Sequence, residues 1–248
     1  MDVDYNDKDY NYKSYWSDRS YEHNAEVVAL KKLLPPHGGR IIDIGAGFGR
    51  LYPVYKDRFK EVVLLEPSSK LTKGFQVQPS TNIVNASLVE ISRGNNKIHR
   101  TNRTYDCAIM VRVAHHLTDL DEAFLQVNRL LVPGGVFVLE FANKVHFLNV
   151  LKHTIRLDFS FFLAPMTSIA TKGVTFNTWH PNYVQKILGK SGFKVIEKLS
   201  VSNFRNPFVK KIVPEGVLLF FEHFLQKPLV AIYFGPSIFI KATKVGDG

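Results

Sequence analysis

Three groups of residues in this chain have types and spacings that could do chemistry. The first is Asp43-Ile44-Gly45-Ala46-Gly47-Phe48-Gly49, where glycines alternate behind an acid. Glycine there lets the backbone pass close to a ligand, because a Cβ would fill the approach. A helix beginning near Gly49 would add free N–H groups and a positive dipole end, suited to a carboxylate. The dinucleotide pattern G-x-G-x-x-G uses a similar device, but counted from Gly45 and Gly47 its third glycine position holds Arg50. By itself such a loop is equally a tight strand-to-helix turn with no ligand. The second group supplies what the loop lacks: Glu66 follows Gly49 by 17 residues, at the expected tip of the next strand. A carboxylate placed there can accept hydrogen bonds from both ribose hydroxyls of an adenosine.

The third group is His115-His116, after an apolar run that reads as a strand. An imidazole at a strand's carboxyl end, with its ordinary pKa of about 6.5, could take a proton from a substrate. The other reading is packing and loop geometry. Neither histidine has the neighbours of a zinc site, so no metal is expected. The one cysteine, Cys107, sits between Tyr105-Asp106 and Ala108-Ile109-Met110-Val111 and reads as a small core residue. No disulfide framework exists, which suits a reducing compartment.

These groups need a scaffold, and the chain alternates strand and helix signals. Strands are expected at Ile41 to Ile44, Glu61 to Glu66, Thr81 to Asn85, Tyr105 to Val111 and Val136 to Phe141. Helices are expected from about Ser14 to Leu34, over Arg50 to Tyr55, and over Asp119 to Leu131, where Leu120, Ala123, Phe124, Val127 and Leu131 share a face. Pro133-Gly134-Gly135 reads as a turn. A helix over Pro181 to Lys190, a strand over Phe193 to Leu199 and a last strand over Ser237 to Ala242 follow. Short strands alternating with helices imply a parallel sheet covered on both faces. The segments 143–180 and 201–234 are too long and too apolar for loops and are expected to cap the active face. Residues 1–13, rich in Asp, Asn, Lys and Tyr, are expected to be a flexible arm.

The 248 residues suit a single domain, with 45% hydrophobic and 22% charged residues. The first residues are acidic and polar, unlike a secretory leader, and the long apolar stretches are broken by charges and Pro228. A cytoplasmic location is therefore expected. The net charge of +10 is uneven: residues 144–248 hold fourteen basic and five acidic groups. Such a half invites a nucleic-acid or anionic-lipid partner, or simply serves solubility.

With these residues in view, the chain resembles the class I S-adenosylmethionine-dependent methyltransferases. Ile41 to Arg50 is similar to their first motif, Tyr105 to Leu117 to their fourth strand and its exit, and Leu130-Leu131-Val132-Pro133-Gly134-Gly135 to their turn into strand five. The resemblance is strongest to the small-molecule branch that includes ubiquinone- and menaquinone-biosynthesis enzymes. It implies a Rossmann-like, doubly wound α/β sheet of seven strands, mostly parallel with an antiparallel last strand, plus an aromatic-rich cap. It implies S-adenosyl-L-methionine as cofactor, with Asp43, Gly45, Ala46, Gly47 and Gly49 around the methionine part and Glu66 on the ribose. Pro67, Ser68, Asn85 and Ala86 would flank the adenine, Asn85 through its amide oxygen where the family usually has an acid. The backbone near Arg112 would hold the cofactor's amino group, and Tyr21 would cover the cofactor or simply pack.

The chemistry so implied is displacement at an activated methyl, for which the protein mainly aligns the partners and excludes water. Tyr15, Trp16, Trp179 and His180, with Phe159 to Phe162 and Phe220 to Phe224, are expected to form an aromatic cavity for an apolar or aromatic small molecule. Two alternatives remain open: an RNA methyltransferase using Arg93, Lys97, Arg100 and Arg103, and a non-catalytic cofactor-binding scaffold of the same fold. The oligomeric state is not readable.

Overall fold

The computed structural model describes residues 14–92, 104–171 and 174–246. Seven strands form the main sheet: β1 (Gly38–Ile44), β2 (Phe59–Leu65), β3 (Thr81–Val84), β4 (Tyr105–Met110), β5 (Leu131–Ala142), and two later ones. A hairpin of β6 (Met166–Thr171) and β7 (Val174–Trp179) stands apart; β8 (Phe193–Val201) and β9 (Ser237–Lys244) complete the sheet. The order is β3-β2-β1-β4-β5-β9-β8, and β9 alone runs antiparallel to its neighbours β5 and β8. This is the mostly parallel, doubly wound sheet that the sequence implies.

The strands are buried on both faces, so alternate residues feed two cores. Ile42, Ala108, Leu139 and Ile240 enter the core shared with α4 (Leu88–Ser92), α5 (Leu120–Leu130) and α8 (Pro181–Lys190). Ile41, Cys107, Ile109 and Phe239 enter the opposite core with α1 (Ser20–Leu33) and α2 (Tyr52–Tyr55). Asp119 starts α5 by accepting from the Glu122 N–H at 3.2 Å, a side-chain cap that fixes where the helix begins.

Several boundaries differ from expectation. The helical pattern from Ser14 splits into a 3-10 turn, Ser14–Trp16, and then α1. The helix expected from Arg50 is the single turn α2, starting at Tyr52 with Pro53 in its first turn. The loop's carboxylate-binding helix end is therefore absent from Gly49. Pro133-Gly134-Gly135 lies inside β5 as a bulge: pairing jumps from Tyr105–Leu131 to Cys107–Val136, and Gly134 takes φ +75°.

The segments expected as a cap contain the β6–β7 hairpin, the single helical turn α7 (Ser160–Leu163), and the helices α6 (Phe147–Ile155), α9 (Pro207–Ile212) and α10 (Glu215–Leu229). The single turn α3 (Ser69–Thr72) follows β2. Within the second segment α10 packs on α1 and β8, extending the helical layer on that face of the sheet. Residues 1–13, read above as an arm, lie outside the described residues.

Candidate active site

The carboxyl ends of β1, β2 and β4 meet where the sequence places its chemistry. Gly45 and Gly49 take φ of +72° and +74°, which L side chains rarely adopt. A Cβ would meet Val113 Cγ2 at 2.3 Å from Gly45 and Phe75 Cζ at 1.9 Å from Gly49. Glycine is thus required for the loop's own packing. Glu66, 6% exposed, ties the loop to β2: its Oε2 accepts from the Gly47 N–H and its Oε1 from the Ser68 N–H, both at 2.9 Å. Burial raises the Glu66 carboxyl above its usual pKa, with the two N–H groups pulling the other way. A carboxylate offers about four lone-pair sites. These bonds use one on each oxygen, so each oxygen can still accept a ribose hydroxyl.

Asp43 lies deeper. Its carboxylate accepts from the Tyr55 hydroxyl, and burial pushes its pKa up to about 7. It sets the loop's base from inside the core. Around the adenine position, Pro67 is exposed, Ala86 is buried, and Ser68 caps α3 by accepting from the Leu71 N–H at 3.3 Å. The Asn85 amide nitrogen donates to the Glu66 carbonyl and to Thr72 Oγ1, both at 3.0 Å, which fixes the amide and leaves its oxygen as the acceptor on offer.

Arg112, at the exit of β4, has φ +62°. Its N–H donates to Glu140 Oε2 at 2.8 Å, and Ser237 holds the other oxygen of Glu140 at 2.5 Å. Its side chain donates from Nε to Glu26 Oε1 at 2.7 Å, while Arg50 of the loop reaches Glu26 Oε2 at 2.5 Å. Burial alone would raise the Glu26 carboxyl, but Arg112 and Arg50 outweigh it and hold the pKa below the usual value. Trp16 lies across both cations, 3.6 Å from the Arg50 guanidinium carbon and 5.6 Å from that of Arg112. The amino-terminal segment is thus fastened over the glycine loop and the β4 exit. Sequence reasoning missed Glu26. Its signal was there: Glu22, Glu26, Ala29 and Leu33 recur at helical spacing on the buried side of α1.

The histidine pair forms a 3-10 turn after Arg112. His115 is 6% exposed, with its ring 4.2 Å from that of Phe176 and 4.0 Å from that of His116. Burial, then His116 and Arg112, holds its pKa well below the ordinary value, so it is neutral at pH 7 and a weak proton acceptor. That argues against the general-base reading of His115. His116 is half-buried.

Of the residues expected to wall a substrate cavity, Trp16 and Tyr15 lie at the amino-terminal turn, with Arg19 4.1 Å over the Tyr15 ring. Trp179 and His180 are used structurally. The Trp179 indole, 3% exposed, donates to the Ala114 carbonyl at 2.9 Å beneath the histidine turn. His180 caps α8, its Nδ1 accepting from the Asn182 N–H at 3.2 Å. Tyr21 is packed: 2% exposed, it donates to Glu222 at 2.7 Å and accepts from the Phe204 N–H at 2.9 Å. The other aromatic residues expected around the cavity differ in burial. Phe161 is buried, but Phe159, Phe220, Phe221 and Phe224 are 49–63% exposed. The basic residues Arg93, Lys97, Arg100 and Arg103 lie outside the described residues.

With this geometry in hand, residues 15–198 match a family described as a methyltransferase domain. The chain belongs to that family. The family model names a methyltransferase domain, and solved proteins of similar fold are described as S-adenosylmethionine-dependent methyltransferases. An uncharacterized methyltransferase of Mycobacterium bovis, and its counterparts in two strains of Mycobacterium tuberculosis, are 30% identical over 108 residues. That stretch is 43% of this domain's chain and 41% of theirs, so it spans well under half the length of the relatives. A protein of Listeria monocytogenes assigned as an S-adenosylmethionine-dependent methyltransferase has a similar fold, with TM-score 0.62 and 18% identity over 91% of this chain and 99% of its own. A methyltransferase of Burkholderia thailandensis, solved with S-adenosylhomocysteine, gives TM-score 0.59 and 13% identity over 94% and 82%. Identities this low speak for the fold alone. The residues fit such a group: each Glu66 oxygen accepts one N–H bond and keeps acceptor capacity beside the glycine loop.

Proposed function

We propose that this chain transfers the methyl group of S-adenosyl-L-methionine to a small apolar or aromatic metabolite. The observation that carries the acceptor class is a pair of buried polar atoms with no partner among the described residues, Trp16 Nε1 and His115 Nδ1. Both side chains border Arg112: the Trp16 ring lies against its guanidinium, and His115 is near enough to feel its charge. Buried polar atoms of this kind call for a ligand or an ordered water. The Trp16 indole, and the Phe176 ring stacked on His115, suit a flat or apolar molecule with few polar atoms.

When bound, S-adenosylmethionine supplies a methyl group already activated on a cationic sulfur. Glu66 accepts the ribose hydroxyls, Gly45, Ala46 and Gly47 pass beside the methionine part, and the backbone at Arg112 holds its amino group. Pro67, Ser68, Asn85 and Ala86 flank the adenine. Trp16 and Phe176 exclude water and orient the acceptor, and neutral His115 hydrogen-bonds its polar atom. This division of labour needs alignment more than acid–base strength, consistent with a histidine held uncharged. The Burkholderia protein of similar fold is described with bound 1,6-didemethyltoxoflavin.

The test is calorimetry with S-adenosylmethionine, followed by transfer of labelled methyl into a metabolite extract and, separately, into RNA. Binding and label in organic-extractable small molecules are expected. No heat of binding would sink the cofactor assignment. Label in RNA would replace the acceptor class, and binding without transfer to either would identify a scaffold.

A further inference from the structure

We propose that the face carrying α6, α9 and α10 docks this protein on an anionic lipid bilayer. The proposal stands independently of the acceptor class. Its first ground is α10, whose amphipathicity is inverted. The residues it buries are Leu218, Glu222 and Gln226, four apart along one side. Its exposed side carries Val217, Phe220, Phe221 and Phe224, spaced as one helical stripe and 44–61% exposed. A helix that turns its polar residues inward and its phenylalanines outward is built for an apolar medium on its outer side.

The neighbouring helices repeat the pattern. No residue of α6 is buried, and Leu148, Leu151 and Ile155 are 59%, 48% and 74% exposed on one side. On α9, Phe208 and Ile212, one turn apart, are 72% and 62% exposed. The start of α6 meets the segment that follows α10. The Phe147 N–H of α6 donates to the carbonyl of Phe234, just beyond α10, at 3.1 Å, and their rings stack at 5.2 Å. Arg205, just before α9, acts electrostatically on His146, the residue that leads into α6.

Charge selects the occupant. Lys152, Arg156, Lys211 and Lys227 are exposed among these apolar residues. The acids of the three helices are Glu215, held by Ser20 and Asn24, and buried Glu222. Residues 144–248 carry a net +9, from fourteen basic and five acidic groups. Two such faces repel one another, which disfavours a second copy, while an anionic leaflet attracts both the lysines and the exposed rings. Among the described residues no helix is long and apolar enough to cross a membrane, so the contact is with the surface.

The experiment is co-sedimentation of the full chain with vesicles of phosphatidylcholine alone or mixed with phosphatidylglycerol. Binding to the mixed vesicles, weakened by salt, is expected. The double variants Leu151→Ser/Ile155→Ser and Phe220→Ser/Phe224→Ser should each lower partitioning about tenfold with unchanged circular dichroism. Three results would overturn the proposal. One is no pelleting with either vesicle. Another is binding to anionic vesicles that ignores both apolar variants, as a purely electrostatic polyanion site would. The third is a dimer in gel filtration that those same substitutions dissolve.

Discussion

Replacing Glu26 by glutamine should loosen the active site and the fold together. Glu26 is fully buried, and its carboxylate receives bonds at 2.5 Å from Arg50 and at 2.6 and 2.7 Å from Arg112. The guanidinium partners are only 12% and 16% exposed, so water can compensate them little. Glutamine keeps the volume but offers one acceptor, and it turns an NH2 donor toward a guanidinium that can only donate. Each charge-assisted bond is worth about 1.5–3 kcal/mol, and breaking a buried pair by removing one partner costs about 3–5 kcal/mol. A loss near 3 kcal/mol, about a fifth or more of a typical folding stability, is therefore expected from urea unfolding at pH 7. The sign with pH follows from the depressed Glu26 pKa: its stabilisation is present above the unfolded value of 4.5 and fades as pH falls through the lower folded value. Calorimetry should show weaker S-adenosylmethionine binding in the same variant, because Arg50 and Arg112 set the loop and the β4 exit. A loss below about 1 kcal/mol, the scale of an exposed ion pair, would refute the reasoning.

Other outcomes follow from the same geometry. Glu66→Gln should reduce S-adenosylmethionine affinity by at least about tenfold, one to two charge-assisted bonds' worth, and unaltered binding by calorimetry would remove Glu66 from the ribose site. Asp43 holds a proton in the fold between its ordinary 3.8 and about 7, where the unfolded chain releases it, so wild-type stability should fall as pH rises through that window. Asp43→Asn should flatten that slope in thermal melts; parallel slopes would contradict it. Cys107 is fully buried with its thiol pKa raised by that burial, so a thiol reagent should label it only upon unfolding. Gly49→Ala, which would set a Cβ 1.9 Å from the Phe75 ring at φ +74°, should lower the melting temperature and abolish cofactor binding; a variant with wild-type melting would contradict it.

The central parallel strands were legible because they are buried on both faces and so read as short apolar runs, Ile41 to Ile44 and Tyr105 to Val111 among them. Glu66 was legible as the acid ending such a run. The rest depended on what one residue does to a distant one. Glu26 reads as a surface charge until Arg50 and Arg112 are brought to it across 24 and 86 residues. Trp179 and His180 looked like cavity walls, but the hairpin folds them under the Ala114–His116 turn and onto the start of α8. The phenylalanines of α10 looked like an interior because a sequence shows hydrophobicity without showing which side faces out.

The position of β9 sets the order in which the sheet can be assembled. Among the described residues β8 has no sheet neighbour except β9, and β9 takes its other partner from β5, about a hundred residues earlier. During synthesis, β1 to β5 can pair while β8 and the helix packed on it wait for residues 237–244 to leave the ribosome. Until then β5 presents an open edge, and β8 presents a second one, each able to pair with another chain. A premature stop between residues 202 and 237 would therefore leave the glycine loop encoded in full yet produce an aggregation-prone chain.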